Sequence, residues 1–290
     1  MTASSTIIDG QTPQEQQVGG ISSFQIDHEL RQYALKWASI FLALWLALFF
    51  FSKYIIPVPQ MVKKPFDRMI CRHRVISGLH GAIAVAVSAY YTFTSLDLSC
   101  GKQNTYKETI IIANTFGFLF ADLIYMIALG FLDAGNCVHH LLGVVSYTYA
   151  FYTQKDLGYL AFHLFPGEIT NVQMNLRELL RKVGMRYTKA YFHVEFNYMI
   201  MYIGARMFWI PSIYYFIFTC PESGIVISVM YPIHCVQSMY YCTCMMSLLR
   251  QRIGEINKLS KLGMKLQWFV GLSEAELEKV GIKHFNNFQG

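Results

Sequence analysis

Several runs of about 18 or more residues in this chain carry almost no charge, and each is long enough to cross the roughly 30 Å hydrocarbon layer of a bilayer. Ala38–Phe51 is the plainest of them. It has no polar face at a 3.6-residue period, so it cannot be the wet-sided helix of a soluble bundle. Only 14% of the 290 residues are charged and 54% are hydrophobic, where a soluble domain averages about 25% charged. Inside hydrocarbon the backbone must satisfy its own hydrogen bonds, which leaves helices or closed barrels. Runs of this length are helices, and the chain reads as an all-α polytopic membrane protein.

Seven spans are expected, at about residues 33–56, 74–96, 108–130, 137–153, 157–180, 190–219 and 224–249. The fifth is the most polar, interrupted by Pro166, Glu168, Asn171, Gln173 and Asn175. A helix that polar belongs inside a bundle with its polar edge turned from lipid. The sixth carries Arg206 and Pro211, and a kink near Pro211 or a marked tilt is expected. Residues 1–32 form a polar tail that should lack fixed structure by itself. It has no Arg before Arg31 and matches neither a secretory signal nor an Arg-rich transit peptide.

Charge orients the spans. Lys63, Lys64, Arg68, Arg72 and Arg74 precede or open the second span, Arg181, Lys182, Arg186 and Lys189 lie between the fifth and sixth, and Arg250, Arg252, Lys258 and Lys261 follow the last. Seven spans gather these three segments on one side, together with one acidic exception near Asp133. The N-tail and the neutral or acidic loops near Asp97–Glu108, Lys155–Asp156 and Glu222 then fall on the other. That pattern obeys the positive-inside rule and sets the C-terminus on a cytosol-like or matrix-like side. The net charge of +6 therefore reflects membrane orientation and anionic lipid headgroups rather than nucleic acid. Residues 253–290 form an amphipathic tail: Ile253, Ile256, Leu259, Leu262, Leu266 and Phe269 alternate with Lys258, Lys261 and Lys265, as in an interfacial helix, and Ser273-Glu274-Ala275-Glu276 reads as a second helix start.

Seven cysteines are present without a CxxC pair, and Cys242 and Cys244 fall on different sides of a helix, so no metal array is expected. Cys100 and Cys220 both fall on the acidic side, where a disulfide is conceivable. No phosphate-cradling glycine loop, dinucleotide fingerprint or nucleophile elbow occurs.

The informative residues are ionisable groups inside apolar runs. His80 lies about two turns into the second span, and Asp122 about two turns short of the basic side in the third. His139 and His140 open the fourth, while Glu168, Asn171, Asn175 and Arg177 descend through the fifth. Glu168, Asn171, Asn175 and Glu178 recur at steps of three and four, giving one polar stripe on a helix face. A membrane histidine is more often hydrogen-bonded glue than catalyst, and Asp122 could simply pair with Arg206 or His80. Convergence of four spans at one depth points instead to a polar interior site, with Arg206 of the sixth span beside it. The 19 Tyr and 22 Phe are assigned to lipid-facing surface and interfacial belts, and no cofactor is assigned to them.

His73-Arg74-Val75-Ile76-Ser77-Gly78-Leu79-His80-Gly81, Gly117-Phe118-Leu119-Phe120-Ala121-Asp122-Leu123, Val138-His139-His140 and the segment Glu168–Arg177 follow one another in order. This series resembles the TLC-domain family, which includes ceramide synthases and the translocon-associated TRAM proteins. Arg206, Phe208, Gln237 and Tyr240 match more loosely, and the similarity covers about residues 60–252. The resemblance implies a ring of six helices around a cavity, preceded here by the extra helix at 33–56. In the ceramide synthase branch the paired histidines and downstream acids are implicated in moving an acyl group from acyl-CoA to a sphingoid amine. An imidazole can act there as base or acyl acceptor, with a carboxylate fixing its tautomer.

Where ceramide synthases carry two aspartates, this chain has Glu168 and Asn171, and it looks closer to the TLC-domain-containing branch without assigned chemistry. The leading expectation is a non-catalytic protein that holds a lipid or acyl chain, such as a phospholipid or acyl-CoA, in its cavity. It would serve lipid homeostasis or act as an accessory subunit of a larger membrane complex, in the endoplasmic reticulum or Golgi or in the mitochondrial inner membrane. Its cavity residues would be His80, Asp122, Glu168, Asn171, Asn175, Arg177 and Arg206. The alternative is an acyl-CoA-dependent N-acyltransferase using His139 and His140.

Overall fold

The computed structural model describes residues 27–279 and 281. The expected polar tail lies outside them up to residue 26, as do the last nine residues. The described elements are helical: α1 His28–Ile55, α2 Pro65–Thr94, α3 Tyr106–Ala128, α4 Ala134–Thr153, α5 Leu157–Glu168, α6 Asn171–Lys182, α7 Lys189–Gly204, a π-turn Ala205–Trp209, α8 Ile210–Thr219, α9 Ile225–Lys261 and α10 Glu274–Lys279. Helices α1, α2 and α3 and the continuous run Lys189–Thr219 are each long and apolar enough to cross a membrane. Large apolar side chains remain outward along them, Phe93 at 74% and Phe208 at 78% exposure. Lipid-facing surface has this character, since lipid gives such side chains no reason to turn inward.

Local chemistry fixes where the helices start. Asp27 caps α1 by accepting the Glu29 and Leu30 N–H groups at 2.8 and 3.1 Å. Thr105 and Glu108 form a reciprocal capping box on α3. Asp133 and Thr188 cap α4 and α7. Pro65 opens α2, where its missing N–H would have had no helical partner.

Helix α1 lies along α3, α2 packs on α5 and α6, α6 on α7, α7 on α9, α9 on α4, and α4 on α3. The α1–α3 crossing depends on Gly117. A Cβ there would stand 2.7 Å from the Leu42 backbone nitrogen, so the two backbones meet only because that atom is absent.

The two ends of the bundle differ in chemistry. At one, Cys100 and Cys220 are disulfide-bonded, tying the α2–α3 loop to the α8–α9 loop across 120 residues of sequence. Nearby, Asp156 accepts the Gly224 N–H at 3.0 Å and Lys155 pairs with Glu222. Asn104 links the α3 approach to α4 and α5, through the Ala150 carbonyl and the Leu157 N–H. At the other end three basic groups are tied to carboxylates: Lys182 to Asp67 at 2.6 Å, Arg177 to Glu195 at 2.8 Å and Arg252 to Glu195 at 2.7 Å.

Two expectations change in detail. The fifth run, read as one helix over residues 157–180, is broken at Ile169–Thr170 into α5 and α6, while Pro166 lies inside α5. The amphipathic stretch 253–272 is not a separate helix. Its first part continues α9 to Lys261, and Gly263, with φ +69, ends it. Helix α10 does begin after Ser273, whose backbone N–H and hydroxyl donate to Glu276 at 2.8 and 2.7 Å.

Candidate functional site

Arg206 organises the interior, and backbone irregularity aims it there. Pro211 cannot donate to the carbonyl four residues back, and its ring crowds that carbonyl. Just before it the helix widens into the π-turn, with the Ile210 N–H donating to the Ala205 carbonyl five residues earlier. Where a kink near Pro211 or a marked tilt is expected, the helix carries this π-turn, and Arg206 is 8% exposed inside the bundle. Its Nη2 donates to the Gly167 carbonyl at 3.0 Å, at the break between α5 and α6. A carbonyl near a helix break needs such a donor where water is scarce. The Nη1 donates to His234 Nε2 at 2.9 Å. Arginine has only donors, so His234 accepts there and carries its own proton on Nδ1.

Around Arg206 is a partly enclosed cavity of about 60 Å³, reached by His139, Ser146 and Tyr147 from α4, His163 and Glu168 from α5, and Tyr231 and His234 from α9. His163 Nδ1 and the Tyr231 hydroxyl are 2.6 Å apart. The His234 ring centroid lies 5.6 Å from that of His139 and 5.1 Å from that of His163. At roughly 10–15 Å³ per water, the space suits a few waters or a group of carboxylate size, not a whole alkyl chain.

A second buried group adjoins the first. His73 Nε2 contacts Asp122 Oδ1 at 2.5 Å, and His140 Nε2 lies 3.3 Å from the other carboxylate oxygen. His80 is fully buried, stacked on Phe118 at a centroid distance of 3.8 Å and met edge-on by Trp45. Its Nδ1 is 3.9 Å from Glu168 Oε2, which accepts the Asn171 amide at 2.5 Å. Asn175 donates to the Asn171 backbone carbonyl at 2.8 Å.

The expected residues therefore divide. His139, Glu168 and Arg206 line the cavity. His80, Asp122, His140, Asn171 and Asn175 belong to the adjoining network, with Glu168 shared between them. Arg177 stands apart at the basic end, ion-paired to Glu195. Asp122 is held by His73 and His140, not by Arg206 or His80. Neighbouring residues on a helix point about 100° apart, so the paired histidines diverge. His139 faces the cavity with no hydrogen-bond or ion-pair partner among the described residues, while His140 turns to Asp122.

Sequence alone assigns no site role to His73, His163, His234 or Tyr231. His73 sits two helical turns before His80 on the same face of α2, a spacing that could have flagged it. His163 and His234 are single histidines in apolar runs, with no spacing signal to separate them from ordinary buried ones. Among the described residues no group of three or more His, Cys, Asp or Glu side chains is arranged to hold a metal ion. No protein-family model matches the chain, and no solved structure matches it.

Proposed function

We propose that this chain is a seven-span membrane protein of the TLC type that holds the polar end of a lipid in its interior cavity without turning it over. The packing order α2, α5 with α6, α7, α9, α4, α3 and back to α2 supports a closed ring of six spans, with α1 outside it on α3. In this reading α4, the α5–α6 pair and α9 are the three further spans, less apolar because they supply the polar lining. The cavity receives a headgroup or a carbonyl, and the tail leaves through its open side into the bilayer.

The observation that carries the non-catalytic reading is the divergence of His139 and His140. Among the described residues the imidazole lining the cavity has no carboxylate in contact to orient it, and the imidazole beside a carboxylate does not line the cavity. A carboxylate that fixes the tautomer of a general base acts on the ring that reaches the substrate, and here Asp122 meets the other ring. Protein purified in a neutral detergent should retain lipid detectable by mass spectrometry of the intact complex. It should form no N-acyl product from palmitoyl-CoA and a sphingoid base. Turnover that disappears in His139→Ala and His140→Ala would defeat this reading and establish the acyltransferase one, which the His73–Asp122–His140 contacts favour.

The disulfide between Cys100 and Cys220 supports an oxidising compartment on that side, the endoplasmic reticulum lumen or the mitochondrial intermembrane space, with the basic end toward cytosol or matrix. Membrane lipids are the principal partners. A place in a larger membrane complex fits a protein that binds lipid and performs no chemistry on it.

A further inference from the structure

The cavity holds a cation with no carboxylate in ion-pair contact among the described residues. Arg206 is more than nine-tenths buried, yet no carboxylate lies within 4.0 Å of it among the described residues. Its two terminal nitrogens are spent on neutral acceptors, the Gly167 carbonyl and His234 Nε2, and its Nε has no hydrogen-bond partner among the described residues. Glu168 lines the same cavity, but its Oε2 is engaged by Asn171 and faces His80. A guanidinium at such depth is strongly unfavourable without a counter-charge. Tyr202 offers only its ring face, 5.2 Å away.

We infer that the cavity is a binding site for the carboxylate of a long-chain fatty acid, with Arg206 as its anchor. This rests on the proposed lipid-holding role and names the ligand's polar end. Charge selects an anion, because Glu168, the carboxylate of the cavity, makes no ion pair with Arg206 and is engaged by Asn171. Size selects among anions: about 60 Å³ admits a carboxylate but not a phosphodiester headgroup or the nucleotide of coenzyme A. The remaining lining, including Leu119, Leu164 and Ile227, is apolar and suits the first methylenes of a tail. The unpartnered ring of His139 stands ready to donate to the second carboxylate oxygen.

The test is binding of radiolabelled palmitate to the full chain in nanodiscs of zwitterionic lipid, with unlabelled competitors. Palmitate should compete, while methyl palmitate, cetyl alcohol and acetate should not. Arg206→Gln should weaken palmitate by about ten- to a hundredfold, the loss expected for a charged hydrogen-bonded anchor. Glu168→Gln, which removes a like charge across the cavity, should tighten it. Because Arg206→Gln could disturb folding, the competitor series on the unaltered chain stands as an independent arm. Equal competition by methyl palmitate or cetyl alcohol overturns the inference, as does equal competition by acetate or palmitate binding unchanged in Arg206→Gln. If a neutral lipid is retained equally by both proteins, the inference fails while the lipid-holding role stands.

Discussion

His73 on α2 and Asp122 on α3 meet through a single 2.5 Å contact, and His140 of α4 closes on the same carboxylate from the other side. Three helices therefore share one buried carboxylate that is only 4% exposed. Asp122→Ala strips both imidazoles of their acceptor and should destabilise the protein by about 3–5 kcal/mol, the range for breaking a buried pair. Asp122→Asn keeps an acceptor oxygen and should be milder. Thermal unfolding of detergent-solubilised protein measures both. Equal stability of Asp122→Ala and the unaltered chain would mean the contact does not hold α2, α3 and α4 together.

Gly117 predicts a steric result at the α1–α3 crossing. Its missing Cβ would collide with backbone, the Leu42 nitrogen and the Phe41 carbonyl carbon, which cannot swing aside. Gly117→Ala should lower stability by about 1–3 kcal/mol through overpacking, despite alanine's better helix propensity. A stabilised Gly117→Ala variant would show that α1 is free to slide along α3.

The disulfide prediction is electrophoretic and thermal. Non-reducing gels should show a mobility difference between oxidised and reduced protein that vanishes in Cys100→Ser. Loss of the cross-link should cost about 2–4 kcal/mol, as for other long closed loops. Identical mobility with and without reductant would remove the bond and, with it, the argument for an oxidising compartment.

Asp156 gives a pH prediction. Burial raises its carboxyl above the ordinary range, against the opposing hydrogen bonds from Gly224 and Ser223. A group whose folded pKa is raised contributes stability that is present at low pH and lost as pH rises through the folded value. The folded state should thus lose stability as pH climbs from the ordinary aspartate range toward neutrality, because the buried carboxylate is cut off from water, although ionisation itself strengthens the bond it accepts from Gly224. Asp156→Asn tolerates the left-handed backbone, φ +73, and can still accept the Gly224 N–H. Its melting temperature relative to the unaltered chain should rise across that interval. A constant difference between pH 4 and 7 would contradict the assignment.

Much of the architecture was legible from composition and order. Uncharged runs of membrane-spanning length require helices, and α1, α2, α3 and the Lys189–Thr219 run follow from that alone. The grouping of charges by loop anticipated which loops share an end, and the structure assembles the Cys100, Asp156 and Glu222 loops at one end and Arg177, Lys182 and Arg252 at the other. These features are local sums over contiguous residues, so no knowledge of packing is needed to read them.

Side-chain direction was decided elsewhere. Contiguous residues decided neither that His139 and His140 would serve different neighbours nor that Arg206 would have no carboxylate in ion-pair contact among the described residues. The sequence presented Glu168 through Asn175 as one continuous stripe, whereas the turn at Ile169–Thr170 splits it between two helices. It gave no sign that His163 and His234, distant along the chain, would come within a ring's breadth of each other. Which buried polar group meets which depends on the rotation and depth of each helix against its neighbours. Those are set by close approaches such as Gly117 on Leu42 and by the π-turn before Pro211, and they exist only once the helices have packed.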